Sequence, residues 1–374
     1  MDKKLIDRFV DANSDELVRL IKEITAIPSP TGNEQRKAEY IKKLLDNIPG
    51  STGAEIDQEG NVLLWHDSRE YKKVTLAVAH IDTVFDGTRE IHPEIKDGYL
   101  CAPSVGDNSA NTAALILAAR YIIEKNCRPD GGILFAFSVG EEGMGNLQGM
   151  RHLMAKYSDE IAEVIAVDGK SEKVMNQAVA SKRFSVRVTA RGGHSWHDFG
   201  SGNAIEIAAE IIRRIYDIKV PRDPRTTYNI GLFEGGRSVN SIAEEASFSM
   251  DMRSVDKPAV NRLEKEFRDT VTNAAKEFAH LGGSADIDLL AERPGGKTPE
   301  DSGLIRKVKE AGNLLNMPIY FYPSSTDANI SISLGIPSVT FGIYRGEGAH
   351  TMHERIEIDS LVQGMRFLLY VLTI

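Results

Sequence analysis

The segment Ser138-Val139-Gly140-Glu141-Glu142-Gly143 closes the apolar run Gly132-Ile133-Leu134-Phe135-Ala136-Phe137, and its two adjacent carboxylates could do chemistry. The run is short, β-prone and bounded by glycines, so it reads as a buried strand. Two acids side by side at its end raise the pKa of at least one of them unless a cation lies between them. A metal ion would meet that need, with one glutamate as ligand and its neighbour as general base. An isolated Glu-Glu pair is more often simply solvated. The rest of the chain decides between the two.

Other residues of the same chemical type fall at comparable places. His80-Ile81-Asp82 follows the apolar strand 74–79, and a carboxylate two residues from an imidazole suits a ligand whose tautomer is fixed by an outer partner. Asp107, in Gly106-Asp107-Asn108, heads a helix carrying Leu115, Leu117, Ala118, Tyr121 and Ile122; taken alone it is a helix N-cap candidate. Asp168 ends the strand 163–167, and the strand 338–343 runs into a loop with His350, His353 and Glu354. In open α/β sheets, ligands bind beyond the carboxyl ends of the parallel strands, where these side chains fall. Carboxylates so close repel one another unless compensated, and histidine with carboxylate oxygens suits zinc or a similar borderline ion. One bridging carboxylate with two further ligands per ion makes a two-metal site, with ions about 3.5 to 4 Å apart, that activates water.

The elements that must position these residues can be read along the chain. Leu17, Leu20, Ile21 and Ile24 mark a helix over 14–26 that the Pro28–Gly32 segment stops. Thr31-x-x-Glu34 is a capping-box pattern for a helix running to about Asn47, and residues 61–66 read as a first strand. From about residue 178 the rhythm becomes β-α-β-β-α-β, which suggests a four-stranded ferredoxin-like unit inserted into the first domain. The expected division is a catalytic domain over 1–177 and 293–374 with an inserted domain over 178–292. At 374 residues, two domains are the default. The formal net charge of -9 argues against nucleic acid or an anionic membrane as partner. The first residues lack an apolar leader and no run approaches the roughly 18 apolar residues of a membrane span, so the expected location is cytoplasmic. Cys101 and Cys127 read as packed thiols.

Taken in order, His80-Ile81-Asp82, Gly106-Asp107-Asn108, Glu141-Glu142-Gly143, Asp168, Gly193-His194-Ser195 and His350-x-x-x-Glu354 resemble the motif series of zinc-dependent exopeptidases and deacylases. That family includes peptidase T, carboxypeptidase G, aminoacylase, acetylornithine deacetylase and succinyl-diaminopimelate desuccinylase. The resemblance covers nearly the whole chain. It implies an α/β catalytic domain, a mixed central sheet flanked by helices, with the inserted α+β unit serving as a lid and homodimerisation domain. It also implies two zinc ions per subunit, with cobalt or manganese as substitutes. By the same resemblance His80 and Asp168 bind one ion, Glu142 and His350 the other, and Asp107 bridges them. Glu141 is then the general base and Asp82 the orienter of His80.

In the inserted unit, His194 resembles the histidine that reaches the active site, in dimeric members from the neighbouring subunit; an exposed turn histidine is the alternative. Asn240 would help an oxyanion and Arg253 would face a substrate carboxylate, with ordinary loop polarity as the alternative for each. Ser324–Asn329 resembles another family stretch without an assignable role, and His353 is expected at the pocket rim. The implied activity is that of a di-zinc metallopeptidase acting on short peptides, as an aminopeptidase or a di- or tripeptidase. An N-acyl amino acid deacylase would use the same core. A metal-binding protein with a dead site is the reading from another class, and Glu141 beside every candidate ligand argues against it.

Overall fold

Strands Val74–His80 and Ile133–Ser138 are buried along their whole length in the computed structural model, as their near-continuous apolar sequences require. The structure describes residues 2–66, 73–87, 91–127 and 131–374. A strand buried on both faces needs cover on both, and the twofold alternation of its side chains assigns each residue to one cover or the other. Ala77, Ala79, Phe135 and Phe137 pack into one core with helices Ser14–Ala26, Gln35–Asp46, Asn111–Glu124 and Ser360–Thr373. Leu76, Val78, Leu134 and Ala136 face the other, with Met150, Leu153 and Met154 of helix Gln148–Tyr157 and Ile330 and Ile332 of helix Ala328–Ser333. Helix Asn111–Glu124 is buried almost all round, which explains its alanines: it is the inner helix of its layer.

Among the described residues these strands belong to a nine-stranded sheet whose central order is Val62–His66, Ile133–Ser138, Val74–His80, Ile161–Val167, Ser338–Phe341, Lys173–Ala178. Val74–His80 is parallel to both of its neighbours, and Ile161–Val167 is parallel to Ser338–Phe341. Val62–His66 runs antiparallel to Ile133–Ser138, and Lys173–Ala178 antiparallel to Ser338–Phe341, so the sheet is mixed. The registers set His80 opposite Ser138 and Phe341 opposite Val167. Four parallel strands therefore end along one edge. A small sheet, ordered Gly346–Glu347, Arg355–Glu357, Tyr99–Cys101, Glu94–Lys96, anchors the loop between residues 347 and 355 on both sides.

The Thr31-x-x-Glu34 pattern does not form a capping box. Glu34 itself precedes helix Gln35–Asp46, in helical conformation and without a capping bond. Its carboxylate accepts the backbone N–H groups of Gly32 and Gly140 instead, while Thr31 donates to Asp82. Long-range partners outcompete the local pattern.

The chain forms two compact units, Met1–Ala178 with Lys297–Ile374, and Val179–Gly296. In the second, strands and helices follow as Ala180–Thr189, Ala204–Ile215, Thr226–Gly235, Glu245–Ser254, Lys257–Glu277 and Ser284–Arg293. Its antiparallel sheet places Glu245–Ser254 beside Ala180–Thr189, with Thr226–Gly235 and Ser284–Arg293 at the edges. Phe184, Val186 and Val188 alternate onto the core face, where Ile207 and Ile211 of one helix and Leu263, Phe267 and Val271 of the other cover them. Asn203 and Asp256 cap the two helices by accepting the N–H of Ile205 and Ala259. No helix among the described residues is long and apolar enough to cross a membrane.

Candidate metal centre and active site

The parallel strands deliver their terminal residues to one rim. His80 is the last residue of its strand and only 2% exposed, and its ring Nε2 lies 3.1 Å from Asp107 Oδ1 and 3.8 Å from Asp168 Oδ1. Asp107 belongs to the irregular stretch Val105–Ala110 that precedes helix Asn111–Glu124, and its peptide bond to Asn108 is cis. It does not cap that helix; its other oxygen lies 3.0 Å from His350 Nε2. The same His350 nitrogen is 2.9 Å from Glu142 Oε1. Asp107 thus belongs to two groups, His80–Asp107–Asp168 and Asp107–Glu142–His350, within each of which the donor atoms all lie within 4.8 Å of one another. His80, Glu141 and Glu142 form a third such group.

The donors differ in how they are held. Asp168 follows strand Ile161–Val167, and its backbone N–H bonds to Phe341 O in the neighbouring strand. Glu141 and Glu142 are 5% and 7% exposed, in the turn after Ser138. Asp82 fixes that turn: its two oxygens accept the N–H groups of Glu141 at 3.0 Å and Glu142 at 2.9 Å. The expected pairing of Asp82 with His80 takes a mixed form, because the Asp82 backbone carbonyl lies 3.2 Å from His80 Nδ1 and the carboxylate 3.4 Å. His350 comes from the loop after Glu347, half exposed, at a φ of 63° that residues other than glycine seldom adopt. His353 is exposed in the same loop, its backbone N–H bonded to Thr351.

Beneath Asp107, Gly106 makes a close approach possible. A Cβ on Gly106 would lie 2.5 Å from Tyr344 Cζ and 2.7 Å from Glu354 Oε1. With glycine there, the Asp107 N–H reaches Glu354 Oε1 at 2.9 Å. Glu354 is the glutamate of the His-x-x-x-Glu pattern, and burial together with the Asp107 charge pushes its carboxyl up to about 8. Asp327 is likewise buried and pushed up to about 6, bonded to Ser138 Oγ.

The electrostatics of the rim answer whether these residues fit a cation. Burial pulls the His80 imidazole towards neutrality, yet bonds to Asp107, Asp168 and Asp82 hold its pKa well above the ordinary value. Hydrogen bonds to Asp107 and Glu142 raise His350 to about 11. Burial raises Asp107, but its bonds to His350 and His80 outweigh that and hold it far below the usual carboxylate range. The carboxylates concentrate positive charge at two points, and a divalent ion competes with protons for the same nitrogens. Oxygen and imidazole donors with one shared carboxylate suit a pair of borderline ions. The residues fit the group.

Residues 76–373 match the model of Peptidase family M20/M25/M40. The chain belongs to that family. Among solved structures, a tripeptidase from Staphylococcus aureus is similar at a TM-score of 0.82 and 25% identity, covering 96% of this chain and 98% of its own. The aminopeptidase PepT from Bacillus cereus has the same fold at a TM-score of 0.78 and 24% identity, with the same coverage of 96% and 98%. Among curated proteins, the succinyl-diaminopimelate desuccinylase of Corynebacterium glutamicum is 23% identical over 366 residues, 94% of each chain. The M20 catalytic fold, a mixed sheet flanked by helices, is thus the one the sequence led us to expect.

The remaining expected residues lie in the second unit. His194 and Asn240 are brought together there: Gly193–His194 pairs with Ser241–Ile242, and the Ser195 N–H bonds to the Asn240 carbonyl at 3.1 Å. The His194 backbone N–H is held by Asp198, and its ring lies tilted against that of His197 at 4.8 Å between centroids. Arg253 is not part of that corner. It lies eight residues along the strand from Glu245, opposite Ser181, and its Nε bonds to Asp251 at 2.7 Å. Three residues of the first unit escaped the sequence reading: Thr31, Glu34 and Lys37. The first two were assigned to a local cap; their true partners, Asp82 and Gly140, lie 51 and 106 residues away.

Proposed function

We propose that this M20 chain is a di-metal exopeptidase that hydrolyses the terminal peptide bond of di- and tripeptides, with Glu141 as general base. The observation that carries this is one carboxylate, Asp107, shared by two His-plus-acid donor groups, with the buried Glu141 beside one of them. On this reading His80, Asp107 and Asp168 hold one ion, Asp107, Glu142 and His350 the other, and zinc suits both. When bound, the ions would polarise the substrate carbonyl and make a water acidic enough to attack near neutral pH.

The chain's own residues do the rest. Asp82 clamps the amides of Glu141 and Glu142, so the base and the ligand beside it keep a fixed relation. Glu141 takes the proton of the attacking water and returns it to the leaving amine. His80 is held as a ligand through its Nδ1, by the carbonyl and carboxylate of Asp82.

His194 and Asn240, in one corner of the second unit, are suited to donate to the developing oxyanion. Arg253 is suited to a substrate carboxylate. Arg253 pairs with Ser181, close to where the chain enters the unit, whereas His194 lies near the opposite end of the sheet. The inserted β-α-β-β-α-β unit with its Gly-Gly-His turn motivates a homodimer in which His194 serves the partner's site. Edge strand Thr226–Gly235, with Leu232 and Phe233 exposed, offers the pairing surface. Mixing Glu141→Gln with His194→Ala tests this: proven heterodimers should regain activity, and persistent inactivity would contradict the arrangement.

A deacylase of N-acyl amino acids is the second reading, favoured by the similarity to the desuccinylase. Turnover of a di- and tripeptide panel against an N-acetyl and N-succinyl amino acid panel, with zinc, cobalt or manganese added, separates the two. Preference for the acyl panel would overturn the peptidase reading; inactivity on both would favour a non-catalytic metal-binding protein.

A further inference from the structure

Asn61 is fully buried one residue before strand Val62–His66. That strand pairs Val62 with Phe137, so Asn61 lies level with the end of strand Ile133–Ser138, where the double-glutamate segment begins. Its Oδ1 accepts the Val139 N–H at 3.1 Å, and its Nδ2 donates to Gly149 O at 3.2 Å and to Asp57 Oδ2 at 2.8 Å. The opposite orientation of the amide would set its oxygen against two acceptors and its nitrogen against an N–H.

These bonds close a ring. The Gly149 N–H bonds to Val139 O at 2.9 Å, so the Asn61 amide, Val139 and Gly149 hold one another through three bonds. The Gln148 N–H adds a bond to Gly140 O at 3.2 Å. The loop that carries Glu141 and Glu142 leaves strand Ile133–Ser138 at Val139 and joins helix Gln148–Tyr157, so the ring is the neck of that loop. Gly149 makes room for it: a Cβ there would lie 2.3 Å from Asn61 Oδ1 and 2.5 Å from Val139 O. Asp57 fixes Asn61 in turn, its Oδ1 accepting the N–H groups of Glu59, Gly60 and Asn61, each at 2.9 Å.

The neck and the Asp82 clamp have different tasks. Asp82 accepts the amides of Glu141 and Glu142 and so sets the relation of the two glutamates to each other. Strand pairing sets His80 opposite Ser138, and only Val139 and Gly140 separate Ser138 from Glu141. The direction in which the chain leaves Val139 therefore decides where both glutamates stand relative to His80.

We infer that Asn61 is a positioning residue for the active-site loop: its side-chain amide closes the neck at Val139 and Gly149 and so places Glu141 and Glu142 relative to His80. It acts through those two residues and, being fully buried, is out of reach of substrate. The position needs a carboxamide. An apolar side chain would leave the Val139 N–H and Gly149 O buried without this partner. An aspartate would have no N–H for Gly149 and would face the Asp57 carboxylate. The inference rests on the roles proposed above for Glu141 and Glu142.

The test compares the full-length wild type, N61A and N61D by steady-state kinetics, zinc affinity against a competing chelator, and amide hydrogen exchange of residues 139–149 and 74–80. N61A should lower kcat by about ten- to a hundred-fold with KM little changed, the scale expected when reacting groups shift by up to an ångström. Its zinc affinity should fall about tenfold, as when an outer partner of a ligand is lost. Exchange should quicken over 139–149 while strand 74–80 stays protected. N61D keeps the shape and one acceptor but gives no N–H, and it should change all three readouts in the same direction. A merely structural role would lower the thermal midpoint of N61A but leave its kcat and zinc affinity at the wild-type level, and that result would overturn the inference. So would exchange that quickens equally over both segments. If N61A does not accumulate as folded protein, N61D decides by the same measures. If neither accumulates, the inference is also overturned, because a residue that acts through one loop is not required for the fold. Should the wild type hydrolyse no peptide, the peptidase reading fails by itself, and zinc affinity and hydrogen exchange of the three proteins still decide on Asn61.

Discussion

The rim of the first unit and the His194–Asn240 corner of the second both carry imidazole and polar groups suited to catalysis, yet they are built in opposite ways. At the rim, His80, Glu141 and Glu142 are buried and fixed by strand ends and a carboxylate clamp. The corner is exposed and tied together by a two-residue ladder and local bonds from Asp198 and Ser238. Groups that hold an ion bind it more tightly when outer hydrogen bonds already fix their orientation. Groups that meet a transition state can be delivered later, by closure or by a partner chain. The rim is held from within the fold, whereas the corner is exposed and held only by local bonds.

Substitutions at the rim should break that contrast most severely. Asp107→Ala removes the carboxylate common to both donor groups, so the protein should purify with neither ion at stoichiometric level and with no measurable turnover. A full metal complement by elemental analysis would show that Asp107 is not shared. His350→Ala should lose about one ion per chain and its activity, since even outer-partner losses weaken metal binding by about 10- to 100-fold. His353→Ala, three residues on, should keep both ions and change mainly KM; the reverse pattern would shift the ligand to His353.

The corner should respond differently. His194→Ala should keep its metal and lower kcat by about a hundred-fold, the scale of one lost oxyanion donor. Metal loss in that variant would mean that the corner is part of the ion site and would dissolve the contrast. The smallest effect concerns the packing that supports Asp107 from beneath. Gly106→Ala sets a methyl group against Tyr344 and Glu354 beneath Asp107 and should cost about 1 to 3 kcal/mol of stability, read as a lowered thermal midpoint.

Much of the rim was legible because strand ends announce themselves. Apolar runs at 74–79, 132–137 and 163–167, each followed by acid or histidine, place their final residues at one edge as soon as the strands are parallel. His350 is singled out by the family-like His350-x-x-x-Glu354 pattern, which carries no sign of the left-handed backbone at that residue. The underside of the site stayed hidden for a physical reason. Thr31 and Glu34 form a convincing local cap, and only the folded chain offers them Asp82 and the Gly140 amide as better partners. Lys37, on the same helix as Ala38 and Ile41, is buried by packing that only the folded chain provides. In the second unit the order of strands and helices followed from periodicity. The separation of Arg253 from His194 did not, since it depends on sheet register.

The central claim is that adjacent glutamates in one turn have different tasks: Glu142 holds an ion and Glu141 moves the proton. Elemental analysis and steady-state turnover of Glu141→Gln and Glu142→Gln, purified in parallel with zinc supplied, test it most directly. The account predicts that Glu141→Gln carries a nearly full metal complement and turns over no substrate, while Glu142→Gln is short by about one ion per chain. A Glu141→Gln protein missing an ion beside a metal-replete Glu142→Gln protein would contradict it and exchange the two roles.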